Sequence, residues 1–123
     1  MALARLDTAS GIIGTMPWTV ETLSQTVDAE LDALPADMRA RFVRVAELIT
    51  AVGLPSVREP YVKHVRGRVW EIRLAGKAGV ARALYVTIAA QRVIVLRVFV
   101  KKTEKTPAKE IQLALVRARE LEQ

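Results

Sequence analysis

The stretch that decides the fold is residues 69–100, VWEIRLAGKAGVARALYVTIAAQRVIVLRVFV. Within it, Trp70, Ile72 and Leu74 alternate with polar residues, as in a strand that has one apolar and one polar face. Two short turns divide the rest, so the stretch predicts three strands, over 70–74, 80–88 and 92–100. Such short connections indicate an antiparallel meander. Residues 93–96 are apolar on both faces and predict a central strand covered on both sides.

The chain before the meander predicts one short strand and a helical hairpin. Residues 18–23 alternate as a strand does, and leucines and valines at helical spacing follow as far as Leu34. Pro35 separates this helix from a second one, because proline disfavours helix in the residue before it. The second helix carries an apolar stripe of Met38, Phe42, Val45, Ile49 and Val52. Gly53 is the expected end of this helix.

The chain after the meander predicts a polar loop and a last helix that begins near Pro107. The predicted order is therefore β-α-α-β-β-β-α, an α+β fold. In it, the helical hairpin and the C-terminal helix pack on a mostly antiparallel four-stranded sheet. We expect one domain over 16–123, preceded by a flexible extension over 1–15, and either Met1 or Met16 as the start of the protein.

Composition excludes several classes of site. The 123 residues include one histidine and no cysteine, so disulfides and thiolate chemistry are excluded and a metal site is not expected. No glycine-rich phosphate-binding loop is present, and we expect no cofactor. No apolar run approaches the roughly 18 residues of a membrane span. The expected setting is the cytoplasm, without membrane attachment.

The charge is concentrated in the middle of the chain. Residues 58–109 contain thirteen Lys or Arg against three Asp or Glu, whereas the segments on either side are mildly acidic. One cationic face is therefore predicted, and nucleic acid is its natural partner. The alternative is a solvated basic surface without a ligand.

The cations of the meander are expected to converge at strand ends. Arg73, Arg82 and the pair Lys101–Lys102 lie near neighbouring ends of successive strands. Arginines that bind a phosphate through two parallel N–H groups can stabilise the negative charge that builds up when a 2′-hydroxyl attacks the adjacent phosphorus. Alternation places Arg82 on the face of Leu84, so either both faces are partly covered or a bulge turns Arg82 away.

The general base and acid of such a reaction are left open by the residues. Three kinds of group could serve as the base: a lysine whose pKa is lowered by neighbouring positive charges, the imidazole of His64, or the carboxylate of Glu71. Glu71 fits equally well as an ion-pair partner that holds Arg73 or Arg82, and Trp70 is expected in the core rather than on a nucleobase. The other cations expected to contact RNA are Lys63, Arg66, Arg68, Lys77, Arg97 and Lys105.

Several motifs, taken together, resemble those of one known protein family. They are Val69–Leu74 (VWEIRL), Arg82–Tyr85 (RALY) and Phe99–Pro107 (FVKKTEKTP), followed by Lys109–Glu110–Ile111. Leu34–Pro35 and Val62–Gly67 (VKHVRG) match as well. Across residues 16 to 122 the chain resembles the phage-derived, Gp49-like branch of the RelE/HigB-type toxins.

The resemblance implies the toxin of a type II toxin–antitoxin pair, a ribosome-dependent mRNA endonuclease. It also implies a helix-turn-helix antitoxin as partner, with operator DNA bound only through that antitoxin. It places Arg82 on the scissile phosphate, with Arg73, Lys101 and Lys102 beside it. Ala81 stands where the family often has tyrosine. The alternative is a non-catalytic, phage-derived nucleic-acid-binding protein that uses the same basic face.

Overall fold

A computed structural model describes residues 17–57, 61–101 and 105–122 of the chain. In these residues three helices pack on one five-stranded sheet. The strands are β1 (Thr19–Thr22), β2 (Val62–Arg66), β3 (Val69–Gly76), β4 (Gly79–Ile88) and β5 (Arg92–Lys101). The helices are α1 (Gln25–Asp32), α2 (Ala36–Val52) and α3 (Ala108–Ala118), with short 3₁₀ turns at Leu54–Ser56 and Arg119–Glu122. The predicted extension over 1–15 lies outside the described residues.

The sheet is mixed and has the strand order β1-β5-β4-β3-β2. Strands β2 to β5 form the antiparallel meander, and β1 pairs parallel to β5, with Thr19 opposite Arg92. The predicted α+β class is confirmed, as are the three strands of the meander. The prediction of four strands is wrong, because β2 adds a fifth at the edge. The element order is therefore β-α-α-β-β-β-β-α.

The second helix follows its sequence pattern as far as Ile49. Met38, Phe42, Val45 and Ile49 of the predicted stripe are buried, but Val52 is 53% exposed, so its place in the stripe was predicted wrongly. Gly53 ends the helix with φ of 87°. Only glycine adopts that backbone conformation readily. A Cβ on Gly53 would also approach Trp18 Nε1 to 3.2 Å. Position 53 therefore favours glycine for two reasons: its left-handed backbone angle and the little room that Trp18 leaves for a Cβ.

Two apolar cores lie on opposite faces of the sheet. Helices α1 and α2 cover one face, with Phe42 and Tyr85 in its core, and α3 covers the other, with Leu84 and Ala114. Residues 93–96 of β5 alternate between the two cores and are all buried. The prediction of a central strand covered on both sides is confirmed.

A polar network ties α1, β5 and α3 together where β1 ends. Glu30 of α1 accepts a hydrogen bond from the Val98 backbone N–H at 3.1 Å and pairs with Arg97 and Arg117 at 2.8 and 2.9 Å. Arg117 of α3 also donates to the Leu96 carbonyl oxygen at 2.8 Å. These side chains supply partners to the backbone of β5 beyond the last residue paired with β1, which is Val95.

Trp70 does not lie in the core. Its side chain is 40% exposed, although Ile72 and Leu74 on the same face of β3 are fully buried. The prediction that Trp70 packs in the core is wrong, because Trp70 pairs with His64 of the edge strand β2, whose side chain is itself exposed. Separately, among the described residues no helix is both long and apolar enough to cross a membrane.

Candidate RNA-cleavage site

Two arginines face each other across neighbouring strands. Arg73 of β3 is directly opposite Arg82 of β4 in the antiparallel register. Like charges in that position repel each other. Glu71, two residues before Arg73 on the same face, accepts hydrogen bonds from Arg73 Nε at 2.9 Å and from Arg82 Nη1 at 3.2 Å. The carboxylate therefore offsets the repulsion and holds both guanidinium groups in place.

The loop before α3 closes this cluster. The Thr106 hydroxyl accepts a hydrogen bond from Arg82 Nη1 at 2.9 Å and donates one to Glu71 Oε1. Glu71 is 1% exposed and Arg82 3%, whereas the Arg73 side chain is 32% exposed. Arg82 therefore forms the floor of the cluster, and Arg73 is the more accessible of the two arginines.

Arg82 lies on the same face as Leu84, as simple alternation requires. Both residues are buried on the side of α3, and the register between β4 and β5 shifts between Leu84 and Tyr85. Of the two predicted explanations, coverage of both faces therefore accounts for Arg82, and the bulge does not turn it away.

The cluster opens into a groove of about 410 Å³. Among the described residues, five cationic side chains and one carboxylate line this groove. The charged lining residues are Lys63, Arg66, Arg73, Arg82, Lys105 and Glu71. Ala108 in the first turn of α3 also lines it, so the helix starts at the groove. The positive end of the helix dipole adds to the attraction for an anion.

His64 lies at the rim of the groove, on the edge strand. Its Nε2 is 2.8 Å from the Gly67 carbonyl oxygen, and its ring makes an edge contact with Trp70 at 5.1 Å between centroids. A carbonyl oxygen only accepts hydrogen bonds, so Nε2 is the donor. In the neutral imidazole, Nδ1 is then the nitrogen that can take up a proton.

The structure brings most of the predicted catalytic residues together. Arg73, Arg82, Glu71 and His64 line the groove, but Lys101 does not, because it ends β5 opposite Val80. Lys102 lies outside the described residues.

The six cations predicted to bind RNA are divided by the structure. Lys63, Arg66 and Lys105 line the groove. Arg68 is exposed in the turn after β2, and Lys77 is exposed at the tip of the β3–β4 hairpin. Arg97 pairs with Glu110 at 2.7 Å and with Glu30, and the Glu110 hydrogen bond raises the pKa of Arg97 although burial opposes it. Arg97 thus belongs to the polar network between the helices.

A known protein family matches the part of the chain that contains the groove. The family model described as Phage derived protein Gp49-like (DUF891) matches residues 29–119. This range contains α2, all of β2 to β5 and the whole groove. The chain belongs to the phage-derived Gp49-like family. No curated protein matches it significantly.

One member of the cluster in this Gp49-like protein was missed in the sequence. Thr106 lies within the FVKKTEKTP motif, but a threonine before a proline gives no sign that it will bridge a carboxylate and a guanidinium. The signal available was the motif itself, since it places Thr106 directly before the residue that caps α3. Within the described residues, no three His, Asp or Glu side chains are grouped as metal ligands would be.

Proposed function

We propose that this protein is the toxin of a type II toxin–antitoxin pair, of the RelE/HigB type, and that it cuts mRNA without a metal ion. The observation that carries the proposal is the pair Arg73 and Arg82, opposed across a buried Glu71 at the floor of a cationic groove. Membership of the Gp49-like family supports the same conclusion. Purely electrostatic binding would not require two arginines held by a buried carboxylate.

In the proposed reaction the 2′-oxygen of the RNA attacks the adjacent phosphorus. The bond from phosphorus to the 5′-oxygen of the next nucleotide breaks, which leaves a 2′,3′-cyclic phosphate and a 5′-hydroxyl. Negative charge grows on the non-bridging oxygens, and guanidinium groups fixed in advance stabilise it. Arg73 reaches the phosphate from the accessible side, and Arg82 acts from the floor.

The candidates for the proton transfers follow from the contacts of the lining residues. Glu71 accepts hydrogen bonds from Arg73, Arg82 and Thr106, so its contacts fit an orienting role better than that of a base. The His64 ring contacts Trp70 on the other face of the sheet, so His64 can reach the 2′-hydroxyl proton only from the rim of the groove, and a lysine of the groove is the alternative base. Lys63 and Lys105 line the same groove and are the candidates to protonate the leaving 5′-oxygen.

The proposed substrate is mRNA on the ribosome, and the proposed inhibitor is a helix-turn-helix antitoxin. An acidic or apolar antitoxin segment that covers the groove would block RNA by charge complementarity and by occlusion. Operator DNA would be bound through the antitoxin alone. If a purified, inactive complex left the groove open, this form of inhibition would be wrong.

The test is induced expression in a bacterial host, with growth, mRNA length and the chemistry of new RNA ends as readouts. We expect wild type to arrest growth and to produce fragments with 5′-hydroxyl ends. Arg73→Ala should slow cleavage by about 10²-fold, the usual cost of one charge-stabilising group. Lys77→Ala removes a cation outside the groove and should behave as wild type.

The second candidate function is RNA binding without cleavage, which the cationic groove alone would support. It predicts that the purified chain binds RNA and that wild type and Arg73→Ala leave mRNA length equally unchanged. That result would refute the proposed nuclease. Arg82→Lys is a second variant for the same test. It keeps a positive charge in the buried floor but removes the guanidinium group, whose paired N–H donors match a phosphate.

A further inference from the structure

A second cavity lies beside Trp70, on the opposite face of the sheet from the groove. Its volume is about 510 Å³. Its walls are largely apolar, and Trp70 and Tyr85 supply aromatic surface. The other lining residues are Leu54, Pro55, Val57, Val62, Lys63, His64 and Thr87. Such a cavity, with a few polar groups at its edge, is typical of a site for a small planar group.

The two cavities meet at the edge strand β2. Lys63 and His64 line both of them, so a ligand that binds in the groove can continue over β2 into the second cavity. Nothing in the described part of the sheet lies beyond β2, which is its last strand. A chain of alternating phosphates and flat aromatic groups matches this succession of a cationic groove and an aromatic cavity.

Trp70 is held in position to receive such a group. The His64 ring contacts it edge-on, with 65° between the ring planes, and the indole remains 40% exposed. Proteins that bind single-stranded nucleic acid use exposed aromatic rings in this way, because every base has a face that can stack. Tyr85, whose hydroxyl pKa is raised by burial, supplies the second aromatic ring of the cavity.

We infer that the cavity beside Trp70 binds a nucleobase of the same RNA strand, after the strand has passed from the groove over the edge strand β2. The inference rests on the proposed RNA substrate and adds a base-binding site to it. It also adds an aromatic partner for RNA to the cations of the groove.

The test is the affinity of the purified chain for a short 2′-O-methyl RNA, which lacks the attacking hydroxyl and cannot be cut. Matching oligonucleotides carry one abasic position, moved along the strand. In wild type, we expect one abasic position to weaken binding about tenfold, the usual effect of losing one stacked base. Trp70→Ala should bind intact RNA about tenfold more weakly and should no longer distinguish it from that abasic RNA.

Three variants control for packing and charge. Trp70→Phe keeps an aromatic face and should retain most of the base dependence, whereas Trp70→Leu keeps apolar volume and should lose it. Val52→Ala removes an exposed apolar side chain outside both cavities and should change nothing. Thermal unfolding of each variant confirms that the chain is folded before affinities are compared.

The outcomes separate this inference from the proposed nuclease. Equal affinity for intact and abasic RNA at every position in wild type would overturn the base site, even if cleavage is observed. Unchanged RNA affinity in Trp70→Ala, with weaker antitoxin binding, would also overturn it and make the cavity a protein-docking site. Base-dependent binding without any cleavage by wild type would support the base site while the nuclease proposal fails.

Discussion

Glu71 and Arg82 are the two most buried charged residues among those the structure describes, with side chains 2% and 3% exposed. Removing two charges from water costs free energy. Their mutual attraction offsets this cost only when further hydrogen bonds satisfy the other polar atoms of the pair. Arg73 and Thr106 supply those bonds to the carboxylate. Removing either partner alone would leave a buried charge without its counterion, so single substitutions here should be poorly tolerated.

Replacing Glu71 should destabilise the protein strongly. Glu71→Gln keeps the shape of the side chain but leaves the buried Arg82 charge without its counterion. We expect the free energy of unfolding to fall by about 3 kcal/mol, measured by urea denaturation. The matched control is Glu21→Gln, which breaks a pair with Arg92, a side chain that is 44% exposed. That variant should lose less than about 1 kcal/mol. Equal small losses would contradict the assigned role of Glu71.

At the residue level, the sequence predicted the proximity of Arg73 and Arg82 because hairpin geometry brings neighbouring strand ends together. It did not predict the exposure of Trp70. Alternation assigns a residue to a face of the sheet, but it does not show where the covering helix stops. Nor could it show that Thr106, 24 residues from Arg82 along the chain, would contact it.

Among the elements, strand β2 was the one the sequence did not reveal as a strand. Only Val62 and Val65 are apolar in it, and Lys63, His64 and Arg66 are exposed. An edge strand with polar residues on both faces has little hydrophobic periodicity to detect. Its contribution is functional, since it brings Lys63 and His64 to the groove. The helices and the inner strands were predictable because their apolar stripes face a core.

Glu30 connects three elements, and its titration should appear in the acid stability of the protein. Burial raises its pKa, but the Arg117 hydrogen bond, the Val98 N–H and the charge of Arg97 together outweigh burial, so the pKa lies below the ordinary 4.5. A carboxylate with a lowered folded-state pKa stabilises the fold above its unfolded pKa. That stability is lost as pH falls through the folded pKa.

We therefore expect Glu30→Gln to cost about 2 kcal/mol near neutral pH, the usual value for hydrogen bonds to charged groups. The difference from wild type should shrink as pH falls below 4.5. The measurement is urea denaturation across a pH series. Glu47→Gln, at an exposed position on α2, is the control and should show no such pH-dependent gap. A gap for Glu30→Gln that persists unchanged into acid would contradict the interpretation.

Across the whole molecule, the charge excess of the middle segment is divided between two surfaces. Part of it lines the groove, and the charge of Arg97 is neutralised by Glu30 and Glu110 in the network that also contains Arg117 of α3. The sequence predicted the excess but could not show this division, because the carboxylates involved come from α1 and α3 and both lie outside the basic segment. Net charge alone therefore overstates the surface offered to RNA.

The salt dependence of RNA binding should reveal this division. Lys63 and Lys77 are both exposed lysines, but only Lys63 lines the groove. For single-stranded RNA, each phosphate contact contributes about 0.7 to the slope of log affinity against log salt concentration. Lys63→Ala should reduce the slope by about that amount, and Lys77→Ala should leave it unchanged. The same effect in both variants would show that RNA is held by diffuse charge instead of by the groove.

The parallel pairing of β1 with β5 has a consequence for folding during synthesis. Thr19 leaves the ribosome early, but its partner Arg92 follows only after most of the chain has been made. Until then β1 has no neighbouring strand, and α1 and α2 have no complete sheet to pack on. Contacts between such distant positions form late, because the chain loses the entropy of closing a long loop before any contact energy is gained. The groove also includes Thr106 and Ala108, so it is incomplete in a nascent chain until synthesis has reached the start of α3, the last α-helix.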